Sequence, residues 1–200
     1  MPPDNRAEAL ERLKDTDNAL GRVFNGLHEG AKERIEADKG DVRRWTNARY
    51  QRMAFVCTDA QSTIENAYKT AACLAGVPIE RIHSLQHLAA ALPGEYGDVT
   101  GPATSSHNQV APSAITLWHT AGPHVGKRPA LTLDESEDTA VELAQIAGHT
   151  AAALAGHLAG AQDAATAVAD LVHTVEQIQA GLIAGDTGKK TRRSVPPPPP

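Results

Sequence analysis

The sequence predicts an all-α protein, an antiparallel bundle of four or five helices with one long irregular loop. Three observations predict it. Apolar residues recur at three- and four-residue steps over long stretches. The period-two alternation that a half-buried strand needs is absent. Stop signals, Gly76 with Pro78 and then Pro93-Gly94, follow two of the periodic stretches.

The first helix is expected from about Asp4 to Leu27, behind Pro2 and Pro3, with Leu10, Leu13, Leu20, Phe24 and Leu27 forming a broken apolar stripe. Residues 28–43 are dense in Glu, Lys, Asp and Arg and read as a solvated helical or linker segment. The second helix is expected from Trp45 to Ala75. Its apolar positions (Met53, Val56, Ala60, Ile64, Ala67, Ala71 and Leu74 among them) keep helical spacing, Gly76 suits a left-handed C′ position, and Pro78 cannot continue the helix. A third helix, about Ile79 to Leu92, would turn Ile82, Leu85, Leu88 or Ala89, and Leu92 inward before Pro93-Gly94 stops it. It would also set His83 and His87 one turn apart, beside Glu80 and Arg81.

Residues 93–134 are rich in Gly, Pro, Ser and Thr and read as the long loop. Its one apolar patch, Ala114 to Trp118, is expected to dock on the bundle through Leu117 and Trp118. The fourth helix opens near Asp134 or Ser136, where Glu135, Glu137 and Asp138 favour a helix N-terminus. It carries Val141, Ala144, Ala147, Ala151, Leu154 and Leu158, and Gly156 and Gly160 would permit close helix approach. In the fifth helix Ala164, Val168, Leu171, Val175, Ile178 and Leu182 step by four and three, a short a/d seam that fits either a bundle helix or a dimer interface. Gly185 is expected to end it. The tail holds Lys189, Lys190, Arg192 and Arg193, then five prolines, and reads as a disordered segment that could serve as a polyproline II ligand. The expected organisation is therefore an N-terminal helix and charged linker over 1–43, a helical bundle over 44–185, and the tail over 186–200.

Composition narrows the function classes. The 200 residues suit one domain with appendages. Nineteen basic against twenty-four acidic residues give a net charge of −5, the wrong sign for general nucleic-acid binding by counterion release. Aromatics are 4%, too few for a base-stacking platform. Cys57 and Cys73 lie on one predicted helix, about 24 Å apart at 1.5 Å per residue, so they cannot bridge and read as buried thiols of a reducing compartment. The polar N-terminus lacks the apolar core of a signal peptide, and no apolar run reaches the roughly 20 residues of a membrane span. A cytoplasmic protein without membrane contact is expected. The sequence contains neither a Gly-x-x-x-x-Gly-Lys-Ser/Thr phosphate loop nor a Gly-x-Ser-x-Gly nucleophile elbow.

One arrangement resembles a known family. Glu65 and Lys69 stand four residues apart near the end of a long helix. Gly76 follows, then His83-Ser84-Leu85 opening an apolar helix that ends in Leu92-Pro93. After the loop, Arg128-Pro129 precedes an acidic-capped, alanine-rich helix. Over about residues 44–158 this resembles the HEPN superfamily of small helical bundles, whose members often read Glu-x-x-x-Lys, Gly, then His-Asp-Leu. Here Ser84 replaces the Asp, and the loop is longer. The resemblance implies one of two functions. Some members are partners of nucleotidyltransferases or binding modules, which implies a helical interaction or ligand-binding module tied to nucleotide or RNA handling in a toxin–antitoxin or defence setting. Others are metal-independent ribonucleases that dimerise and use an Arg-x4–6-His motif, which Arg81 and His87 match in spacing although Ile82 replaces the usual polar residue.

The ribonuclease chemistry has a physical basis. A histidine titrates near neutrality and can move the 2′-hydroxyl proton, while an arginine can clamp the phosphate. The candidate catalytic residues are therefore Arg81 and His87, and His83, Arg49, Arg52 and Lys69 are candidates for ligand or partner binding. Arg43, Arg44, Arg49 and Arg52 cluster in sequence, with Arg49 and Arg52 on one helix face. A metal shared by His83, His87 and Glu80 is not favoured, since no His-Glu-x-x-His pattern is present, and neither metal nor cofactor is expected. His107, His119 and His124 read as loop histidines, and His149, His157 and His173 as interface or satisfied core residues. The expected partners are a second copy of the chain, a nucleotidyltransferase or RNA, and a polyproline-binding domain at the tail. A structural helical protein with a partner-recruiting tail is the third alternative.

Overall fold

Every regular element among the described residues is helical. The structure is a computed structural model that describes residues 3–37, 42–78, 83–104 and 133–193, with side chains described over 5–32, 48–78, 83–103 and 135–181. In chain order the helices are α1 (Pro3–Ala37), α2 (Val42–Ala75), α3 (Leu85–Ala91), α4 (Gly97–Thr104), α5 (Leu133–Leu158) and α6 (Ala165–Arg193). Short 3-10 turns, Gly94–Tyr96 and Gln162–Ala164, lead into α4 and α6.

Four long helices form the bundle, and cross-helix bonds fix their directions. Residues 38–41 join α1 to α2, which pack along each other as an antiparallel hairpin. Arg49 of α2 pairs with Glu137 near the start of α5. Near the other end, the Tyr68 hydroxyl of α2 donates to Thr100 O of α4 at 3.1 Å, and Asp98 of α4 meets His157 at the end of α5. The helices α2 and α5 therefore run parallel. So do α1 and α6, through Arg6 to Asp163 and Thr174 to Asp17. An α5 of 26 residues is about 39 Å long, so the chain between α4 and α5 joins opposite ends of the bundle.

The core runs through all four helices. Leu13, Leu20 and Val23 of α1, Ile64 and Tyr68 of α2, Leu143 and Leu154 of α5, and Leu171, Val175 and Ile178 of α6 are buried in one cluster. The helix α2 lies at the centre, buried on most sides, and both cysteines on it are buried. Burial, aided by Glu8 and opposed by Arg12, pushes the Cys73 thiol up. Close approach of α1 to α2 depends on Gly26: a Cβ there would stand 2.5 Å from Val56 Cγ2.

The structure departs from the sequence reading at several boundaries. The first helix continues through the charged stretch to Ala37, because Glu, Lys, Arg and Ala are good helix formers and a missing apolar stripe does not end a helix. The third helix starts at Leu85 rather than Ile79. Ser84 takes an extended conformation (φ −77°, ψ 104°), and its hydroxyl accepts the His87 backbone N–H as an N-cap. Within the stretch read as loop, residues 94–104 form a turn and helix whose Tyr96, Val99 and Ala103 are buried. The last helix passes Gly185 to Arg193, with Gly181, Gly185 and Gly188 inside it, each costing only about 1 kcal/mol relative to alanine. Its a/d seam faces the protein's own core: Ala164, Leu171, Val175 and Ile178 are buried there. The expected docking patch Ala114–Trp118, Arg128-Pro129, His107, His119, His124 and the proline tail lie outside the described residues.

Candidate functional site

The turn from α2 to α3 gathers a buried polar cluster. Gln61, Glu65 and Lys69 repeat every four residues and so share one face of α2. The helix ends in a Schellman motif. Gly76 adopts φ 69°, its N–H donates to Cys73 O at 3.2 Å, and Val77 N–H donates to Ala72 O at 2.9 Å. This reversal brings the chain back so that His83 stands over the same face.

Glu65 is the centre. Lys69 Nζ donates to its Oε1 at 2.5 Å and Gln61 Nε2 to its Oε2 at 3.2 Å, while His83 Nδ1 lies 3.0 and 3.1 Å from the two oxygens. A carboxylate only accepts, so His83 is held in the form that carries hydrogen on Nδ1. The side chains of Glu65 and Lys69 are 6% and 11% exposed, while that of His83 is 50% exposed. A buried carboxylate with donors on both oxygens is already satisfied. Its geometry suits a structural tie between α2 and the strand of chain entering α3, and leaves it poorly placed to accept a proton from a substrate.

The predicted site residues separate. His83 precedes α3 rather than lying on it, so the one-turn pairing with His87 that would share a metal does not form. His87 is exposed in the first turn of α3. Arg81 and Glu80 lie outside the described residues, so the Arg81–His87 pair is not placed. Arg49 and Arg52 do not make a shared basic surface: Arg49 is buried and paired with Glu137 of α5, whereas the stem of Arg52 lies beside Gly30 of α1. Lys69 spends its charge inside the cluster. Among the described residues, Arg6, Arg12, Arg22 and Lys32 also pair with carboxylates, those of Asp163, Glu8, Asp59 and Glu29. No group of three metal-ligating side chains occurs among the described residues, and no helix there is long and apolar enough to cross a membrane.

A second histidine–carboxylate pair lies near the end of α5. His157 Nε2–H donates to Asp98 Oδ1 at 2.8 Å, and its ring rests on Tyr96 with centroids 4.6 Å apart. The hydrogen bond from His157 holds the Asp98 carboxyl below its ordinary range, helped by the Val99 N–H. Burial pushes the Tyr96 and Tyr68 phenols up. Sequence reasoning did not join Asp98 to His157. The signal it could have used is the helical spacing of Tyr96, Val99 and Ala103. Gln61 was also missed, although it lies one turn before Glu65.

No family model, curated protein or solved structure matches this chain.

Proposed function

We propose that this chain is a HEPN-like helical interaction module of the cytoplasm, working with a nucleotide- or RNA-handling partner in a toxin–antitoxin or defence setting, and that it does not cleave RNA itself. One observation carries the reading. Glu65, Lys69 and His83, three of the residues on which the HEPN resemblance rests, meet in one hydrogen-bonded cluster despite lying up to 18 positions apart. The engagement of both Glu65 oxygens supports a binding scaffold over a catalytic centre. The pairing of six basic side chains with carboxylates supports a protein partner, such as a nucleotidyltransferase, over direct contact with RNA. A homodimer belongs to the same proposal, formed through a face other than the 164–178 seam, and so does recognition of the proline tail by a polyproline-binding domain.

Two measurements test this. Wild type and His87→Ala are incubated with single-stranded RNA in EDTA, and intact RNA is expected with both. Cleavage by the wild type that disappears in His87→Ala and Arg81→Ala establishes the ribonuclease alternative instead. In the second, the neighbouring genes are read; a nucleotidyltransferase among them is expected, and on co-expression with this chain it should form a complex of fixed stoichiometry. Two proteins that elute separately at micromolar concentration overturn the partner reading.

A further inference from the structure

We draw no further inference here: the strongest candidate, the apolar groove of about 420 Å³ where the end of α5 meets the start of α6 at Leu158, Ala161, Val168 and Val172, carries nothing because nothing in the structure shows what covers it.

Discussion

Two histidine–carboxylate pairs tie the short helices to the bundle, and they differ in which partner is buried. His83 meets Glu65 at 3.0 Å and His157 meets Asp98 at 2.8 Å, so distance alone ranks them as equals. Burial reverses that. The Glu65 side chain is 6% exposed and shares its oxygens with Lys69 and Gln61, while the Asp98 side chain is 58% exposed. In the first pair the surrounding protein has replaced water around the carboxylate, so each lost donor leaves a need that solvent cannot meet. In the second, water stands ready to take the place of the histidine. The cost of removing one partner, rather than the contact length, therefore measures such a pair.

The largest effect is expected from Glu65→Ala. It leaves the Lys69 ammonium buried without its carboxylate, and breaking a buried pair in this way costs about 3–5 kcal/mol. Urea denaturation of the variant should show a midpoint lowered accordingly, with an unchanged slope. Replacing both charges together, as Glu65→Leu with Lys69→Met, should recover much of the loss, because apolar side chains of similar volume remove the desolvation penalty for both groups. A double variant as unstable as the single one would mean that the cluster does more than satisfy its own charges. His83→Ala comes next. It removes one donor from a carboxylate that keeps two others, and about 1–2 kcal/mol is expected from the usual value of a hydrogen bond to a charged group. The ring is half exposed, which holds the cost towards the lower end. Loss as large as for Glu65→Ala would break the ranking by burial.

A smaller effect separates the two ways in which the corner is built. Ser84→Ala removes the hydroxyl that accepts the His87 N–H, and an N-cap of this kind is worth about 1 kcal/mol. Its effect should be local. Amide hydrogen exchange should quicken over α3 and leave α2 unchanged, whereas Glu65→Ala should quicken exchange in both.

The fold was legible because its signals are local. Spacing of Val56, Ala60, Ile64, Ala67 and Ala71 specifies a helix without reference to any other part of the chain, and Gly76 with Pro78 specifies its end. What escaped depends on partners distant in sequence. Ser84 could have been read as an N-cap, but the apolar spacing of Ile79 and Ile82 argued for an earlier start. The Gly and Pro around Tyr96 and Val99 hid a helix that exists because those side chains find α5 and α2. At the candidate site, the residues Glu65, Lys69 and His83 were visible as a motif. Their meeting was not, because His83 reaches Glu65 only after the turn at Gly76 reverses the chain. Arg49 shows the opposite error: a basic residue in a charged stretch reads as surface, yet Glu137, on another helix, takes it inside.

The smallest effect expected is that of the exposed pair, and pH gives it a distinct signature. The Asp98 carboxyl lies below its ordinary range chiefly because His157 donates to it. A carboxyl lowered in the folded state favours folding above its unfolded value and loses that contribution as the pH falls through the folded one. The window therefore opens near the ordinary aspartate value of 3.8 and extends below it. Solvent screening limits the contribution to no more than about 1 kcal/mol. Asp98→Asn should then lower stability slightly at pH 6, and the gap to the wild type should narrow as the pH falls below 3.8. A gap between the two curves that persists unchanged at pH 2.5 would locate the effect in packing of Tyr96 and Val99 instead of in the ion pair. A gap at pH 6 as wide as that of Glu65→Ala would show that burial of the carboxylate does not set the order of the two pairs.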